Sequence, residues 1–242
     1  MEEGAQVKRE LRLGTAGWNV PQVCKDRVGG AGSHLERYAR VLNATEINSS
    51  FHKPHRRSTY EKWASATPDG FRFCVKVPKS VSHSSQLARG ELERFIEESA
   101  GLGAKLRVVL VQFAPRRIFV ESDAELLLGT LQEKTSAALV CEPRHVSWFT
   151  PEVDTWLRER RISRVAADPA RVPDAGLPGG WPDLRYFRLH GAPRIYYSAY
   201  DGAYLRALKS RLGAASTPCE TWCIFDNTAA GAALQNALDL LP

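Results

Sequence analysis

Residues 139–149 read LVCEPRHVSWF, an apolar run that closes on Glu142, Arg144 and Trp148. Strand residues two apart face the same way, so the carboxylate of Glu142 and the guanidinium of Arg144 project together. Pro143 between them breaks the ladder and suits a strand terminus. Charged groups seldom enter a core without partners. Arg188 and His190, just before Gly191, repeat the spacing at the end of another apolar run. Glutamate and histidine form an acid–base pair that burial and cationic neighbours tune toward neutral pH. Arginine suits bidentate contact with carboxylates and phosphates. The set points to proton transfer or hydrolysis on a phosphate-bearing or other anionic substrate. Glu142 and His190 are the candidate catalytic pair, with Lys76, Arg144 and Arg188 on the anion.

Other polar and aromatic residues fall at comparable positions. Asn48 and Asn227 are candidate substrate contacts, and Trp18, Trp148, Tyr196 and Tyr200 are candidate rims or stacking faces for a planar ligand. Glu46, Glu142, Asp168 and Asp226 are candidate ligands for a single Mg²⁺ or Mn²⁺. Each has a plainer alternative. Glu142 and Arg144 also make sense as a structural ion pair, His190 as a satisfied core histidine, and Lys76 as a side chain snorkelling to solvent. Glu46 suits hydrogen bonding between strands, and Asp168 before Pro169 suits a turn. His83 belongs to a loop that would hang over the pocket.

Three function classes follow. The first is an acid–base enzyme, a hydrolase among the options, acting on an anion. The second is a metal-dependent phosphodiesterase of nuclease type. The third is a non-catalytic protein binding a small anion or nucleic acid, where aromatic residues beside arginines suit single strands; no nucleic-acid-binding motif supports that partner. Glycoside hydrolysis needs paired carboxyls, and the surrounding Arg and Lys fit a neutral sugar poorly.

Strands must carry these residues. LRLGTA (11–16), ATEINSS (44–50), FRFCVKV (71–77), LRVVLVQF (106–113), AALVCE (137–142), SRVAAD (163–168), LRYFRLHG (184–191) and TWCIFD (221–226) read as strands with helical stretches between them. The continuous apolar run at 106–113 marks a strand covered on both faces. Ser33 with Glu36, Ser58 with Glu61 and Ser122 with Glu125 have the spacing of capping boxes. Thr150 followed by Pro151 reads as an N-cap with proline at the first helical position. Roughly eight strand–helix units predict an α/β TIM barrel over residues 1–242 as one domain, with the active site at the C-terminal strand ends. PARVPDAGLPGGWPD (169–183) is too rich in Pro and Gly for a regular helix, so the helix after the sixth strand is expected to be degenerate. No G-x-G-x-x-G follows the first strand, which counts against a doubly wound sheet.

Bulk properties narrow the setting. Of 242 residues, 43% are hydrophobic and 25% charged, ordinary values for a globular protein. The net charge of +6 favours anionic partners and discriminates little among them. No apolar run approaches the ~20 residues that cross a bilayer, and the opening lacks the apolar core of a secretory signal. Five irregularly spaced cysteines make a poor disulfide framework. A cytoplasmic protein with free thiols, and no membrane partner, is expected.

An ordered series of segments supplies a resemblance. GTAGW (14–18), YARVLNATEINSSFH (38–52), FRFCVKVPKSVSH (71–83), VQFAPR (111–116), CEPRHVSW (141–148), RLHGAPRIYYSAY (188–200) and FDNTAAGAALQNA (225–237) together resemble the YecE-like family, domain of unknown function 72. The resemblance runs over almost the whole chain. It implies a TIM barrel with a polar pocket and implies no particular reaction or cofactor. The chain departs from the family after Trp18, where NVPQVCKDRVGGAGS is poor in aromatic residues.

Overall fold

The computed structural model describes residues 10–84, 87–214 and 218–241. The strands that carry the site are β1 (Glu10–Thr15), β2 (Ala44–Ile47), β3 (Arg72–Lys76), β4 (Leu106–Gln112) and β5 (Ala138–Glu142). They are followed by β6 (Ile162–Arg164), β7 (Ala166–Asp168), β8 (Gly179–Gly180), β9 (Leu184–Leu189) and β10 (Glu220–Phe225). Helices α1 (His34–Tyr38), α2 (Arg57–Ser65), α3 (Lys79–Ser82), α4 (Arg89–Ser99), α5 (Glu121–Lys134), α6 (Pro151–Glu159), α7 (Gly202–Gly213) and α8 (Ala232–Leu240) alternate with them.

The result is a mixed α/β fold with two hydrogen-bonded sheets, ordered β1-β10-β9-β7 and β2-β3-β4-β5-β6-β8. All pairs are parallel except β6 with β8. The single closed ladder of a TIM barrel is not formed among the described residues. Two junctions interrupt it. The sixth predicted strand breaks at Val165, so β6 pairs with β5 while β7 pairs with β9. Between β1 and β2 only one bridge forms, Ala16 with Glu46. Gly14 permits that approach, because a Cβ there would lie 2.2 Å from the Ala44 carbonyl oxygen.

Strand parity divides the core in two. Alternate residues, including Ala44, Cys74, Leu110, Val140, Tyr186, Trp222 and Ile224, form an inner cluster enclosed by the strands. Their neighbours, such as Val75, Val109, Leu139, Phe187 and Phe225, pack outward with helix residues such as Leu128, Leu157 and Leu208. Two positions beyond inner residues, the same face carries Glu46, Lys76, Gln112, Glu142, Arg188 and Asp226. Between β7 and β9 the chain makes only a 3₁₀ turn, Pro173–Gly176, and the short β8, so no regular helix follows the sixth strand segment.

Two of the predicted caps are present. Ser33 and Glu36 form a reciprocal capping box on α1, and the Thr150 side chain accepts from the Val153 N–H with Pro151 opening α6. Two are not. α2 and α5 begin at Arg57 and Glu121, which puts Ser58 and Ser122 inside the helices; Arg56 and Val120 occupy the cap positions without side-chain caps. Glu61 pairs instead with Arg57, and Glu125 with Arg160.

All five cysteines are free and buried. Burial pushes the Cys141 thiol up to about 12, and only an exposed thiolate reacts readily. Titration with a thiol reagent should therefore count five thiols after denaturation and essentially none in the native protein over minutes. Fewer than five after denaturation would reveal a disulfide. No described helix is long and apolar enough to cross a membrane.

Candidate functional site

Arg188 stands at the centre of a buried ion cluster on the inner face. Leu184, Tyr186 and Arg188 of β9 face inward together, and β9 lies beside β10, so Arg188 meets Asp226 at the end of the neighbouring strand. Its Nε and Nη2 donate to Glu46 Oε2 and Oε1 at 2.9 and 2.7 Å. Its Nη1 donates to Glu142 Oε2 at 2.6 Å, and Nη2 also reaches Asp226 Oδ2 at 3.0 Å. Tyr186 Oη donates to Glu46 Oε2 at 3.1 Å, and Gln112 Nε2 to Glu142 Oε2 at 2.8 Å. Arg188 is fully buried and committed to three carboxylates of its own chain, so it is not free to hold an anion as its position in the sequence suggested.

His190, one step further along the same face, lies between two of those carboxylates. Its Nδ1 is 2.9 Å from Asp226 Oδ2 and its Nε2 is 2.8 Å from Glu142 Oε1. Gly191 then turns the chain at φ 90°, where a Cβ would lie 2.6 Å from the Ser198 carbonyl oxygen. Arg144 Nη2 reaches Glu142 Oε1 at 2.7 Å, and its Nε is buried without a hydrogen-bond partner among the described residues. Arg144, Arg188 and His190 thus each contact Glu142, and Arg144 Nη2 also lies 3.1 Å from His190 Nε2.

Charge explains the protonation of the carboxylates. Burial alone would raise Glu142, but Arg188, Arg144 and His190 outweigh it and hold the carboxyl well below the usual range. Burial likewise opposes Asp226, and Arg188 together with the His190 hydrogen bond keeps it lowered. The ring bridges the two carboxylates through its two nitrogens, and Arg144 Nη2 lies 3.1 Å from Nε2. Glu142, His190 and Asp226 therefore form a hydrogen-bonded path along which a proton can move.

Lys76 shares the inner face, yet only 5% of it is exposed and its ammonium has no hydrogen-bond or carboxylate partner among the described residues. The Nζ lies 4.0 Å from the centre of the Phe51 ring, a cation–π contact. Burial and then Arg188 push its pKa down to about 8, against the opposing pull of Glu46, Glu142 and Asp226. Beside it His83 packs edge-on to Phe51 at 5.2 Å. Burial, Lys76, Lys79 and Arg144 all lower that imidazole. Phe51, His52, Lys79 and His83 line a cavity of about 550 Å³.

The remaining candidates separate. Trp148 is 1% exposed, tilted against Phe113 and edge-on to Phe119, with its indole N–H donating to the Arg117 carbonyl; it is a core residue. Tyr200 is buried, donating to Asp168 Oδ1 at 2.7 Å and accepting from the Gly191 N–H. The 194–200 segment is not helical, and Tyr196, at φ 70°, stands exposed with its ring edge-on to His190 at 5.7 Å. Trp18 packs edge-on to Trp63 at 4.9 Å. Asn227 donates to the Ser198 carbonyl and to Asn236 Oδ1, while its own Oδ1 and that of Asn48 are buried without partners among the described residues.

The metal candidates do not fit a metal. Glu46, Glu142 and Asp226 converge, but the Arg188 guanidinium fills the space between them, and Asp168 lies apart on Tyr200. Among the described residues no group of three or more His, Cys, Asp and Glu side chains is arranged to hold an ion. Sequence reading missed the partnership of Asp226 with His190 and the roles of Gln112 and Tyr186. The signal available was parity, since Tyr186 and Asp226 share the inner alternation of their strands.

Parallel strands in a mixed α/β fold, with a buried Arg–carboxylate–histidine cluster at their C-terminal ends, define the class of this protein. The chain belongs to the family described as "Protein of unknown function DUF72", which matches residues 12–242. Among curated relatives, the UPF0759 protein YecE of Escherichia coli K12 is 26% identical over 179 residues, 67% of this chain and 60% of that protein. The chain thus matches somewhat under two thirds of YecE. The UPF0759 protein YunF of Bacillus subtilis 168 is 20% identical over 96% of this chain and 93% of that protein. Crystal structures share the fold. A DUF72 family protein of Enterococcus faecalis V583 superposes with a TM-score of 0.76 at 23% identity, covering 97% of both chains. One from Thermotoga maritima MSB8 gives 0.76 at 25%, covering 96% and 97%.

Proposed function

We propose that the chain is a cytoplasmic enzyme of one domain that performs acid–base chemistry on a small phosphate-bearing or otherwise anionic substrate at the C-terminal strand ends. The observation that carries the reading is the unmatched positive charge beside the proton path. Every carboxylate of the cluster is engaged, whereas among the described residues the Arg144 Nε is buried without a partner and the Lys76 ammonium meets only the Phe51 ring. An anion placed between them would supply what both lack, since unpaired buried charge is unfavourable. Glu142, His190 and Asp226 then deliver or accept the proton next to the bound group. Hydrolysis is one reaction this arrangement suits.

The same reading takes the two sheets as one eight-stranded TIM barrel. In support, residues 162–168 pair with β5 at one end and β9 at the other, and the Ala16–Glu46 bridge joins β1 to β2. The unpaired thiols support a reducing compartment. A small ligand is preferred to nucleic acid because two of the four candidate stacking rings, Trp148 and Tyr200, are buried.

Isothermal titration with inorganic phosphate is the direct test. Arg144→Ala should weaken binding at least tenfold, while the circular dichroism spectrum stays that of the native protein. Wild-type protein that binds neither phosphate nor sulfate in the millimolar range would defeat the anion site.

A further inference from the structure

We propose that Lys76 is a nucleophile that forms an imine with an anionic carbonyl compound, a 2-oxo acid or a phosphorylated aldehyde or ketone. The inference deepens the anion-site reading and rests on it, with Arg144 holding the substrate's anionic group and Lys76 meeting its carbonyl carbon.

Three observations carry it. First, Lys76 sits at the end of β3 on the inner face, where a buried lysine ordinarily pairs with a carboxylate. Three carboxylates are near enough to act on it electrostatically, yet Arg188, Arg144 and His190 already occupy them. Among the described residues the ammonium is left with the face of Phe51. Second, the surroundings favour the neutral amine, the form that attacks carbonyls. Burial and Arg188 lower its proton affinity more than Glu46, Glu142 and Asp226 restore it, to about 8; His83, whose ring also borders Phe51, adds no carboxylate. Third, the acid–base groups that imine formation needs are in the same cluster. Phe51, whose ring faces the Lys76 ammonium, is also part of the wall of the neighbouring 550 Å³ cavity, although Lys76 and Arg144 do not line that cavity themselves.

The step balances without a further reactant. The neutral Nζ attacks the carbonyl carbon, forming the C–N bond while the carbonyl oxygen takes a proton through the His190 path. The resulting carbinolamine loses that oxygen as water. The two amine protons leave nitrogen as the C=N bond forms, and the net product is one imine and one water.

The test uses the full-length protein with glyoxylate, dihydroxyacetone phosphate or, as a neutral control, glycolaldehyde, each trapped with sodium cyanoborohydride and mapped by peptide mass spectrometry. Lys76 should carry the reduced adduct of one or both anionic probes at least tenfold above any other lysine, and glyoxylate alone or the phosphate ester alone would tell carboxylate from phosphate recognition. Arg144→Met should reduce the anionic adducts at least tenfold more than the neutral one, and an equal loss of all adducts would defeat its role as anion holder. Lys76→Met should leave only the diffuse surface background. Wild-type labelling spread evenly over surface lysines, or no adduct at Lys76 with any probe, overturns the proposal. Phosphate binding measured in parallel separates the failures. Phosphate bound without an adduct defeats the imine alone, and neither result defeats the anion site with it.

Discussion

Replacing Arg188 by methionine is expected to remove about 3–5 kcal/mol of stability, the usual penalty for deleting one partner of a buried ion pair. The guanidinium is fully buried and carries four charge-assisted contacts, two to Glu46 and one each to Glu142 and Asp226. Methionine roughly conserves its length and leaves three carboxylates facing one another in the interior. Part of the penalty will be relieved by protonation, so the variant should be least unstable in mild acid, opposite to the wild type. In the wild type Glu142 and Asp226 have depressed proton affinities. They contribute stability that is fully present above their ordinary values near 4 and is lost as pH falls through the folded values. Urea unfolding between pH 4 and 8 measures both trends. Adding Glu46→Gln to Arg188→Met should recover stability, because the amide removes one of the stranded charges. A single variant within about 1 kcal/mol of wild type would mean that the carboxylates are held by something other than Arg188.

Lys76→Met is expected to do the opposite and stabilise the protein, by on the order of 3 kcal/mol at pH 7, the worth of displacing a lysine from 10.5 to about 8. The sign follows from proton counting. The folded-state value lies below the unfolded one, so between about 8 and 10.5 the unfolded chain binds more protons and wild-type stability rises with pH. Below that window the folded protein bears the whole penalty of a charged amine with no polar partner. Methionine has a similar shape, suits irregular apolar space and keeps a favourable contact with the Phe51 ring. Thermal unfolding from pH 6 to 10.5 should show the variant well above wild type at neutral pH, with the two curves converging at the alkaline end. A variant less stable than wild type at pH 7 would show that Glu46, Glu142 and Asp226 stabilise the ammonium after all.

How much of this was legible beforehand follows from the range over which each feature is decided. Alternation along single strands put Lys76, Glu142, Arg188 and His190 at strand ends, because side-chain direction in a strand repeats every two residues and needs no knowledge of neighbours. The same locality made the Ser33–Glu36 box and the Thr150–Pro151 start readable, as well as the missing helix at 169–183. Ser58 and Ser122 show the limit. Identical spacing did not yield caps, because Arg57 and Arg160 took the glutamates and the helices began two residues earlier.

Partner choice was legible only around Glu142, whose contacts with Arg144 two residues on and with His190 the strand ends already suggested. Four carboxylates and three cations at strand ends permit many pairings. Which one forms depends on register between strands far apart in sequence, such as β2 with β9, where Glu46 meets Arg188 across 142 positions. Only the folded chain could turn Arg188 from an anion holder into the counter-ion of three carboxylates, bury Trp148 and Tyr200, and leave Lys76, among the described residues, with the Phe51 ring and no carboxylate. By itself the sequence determined which residues face inward at the ends of the strands. The tertiary structure decided which of them neutralise one another, because charge pairing is a contact between strands and periodicity is a property of one.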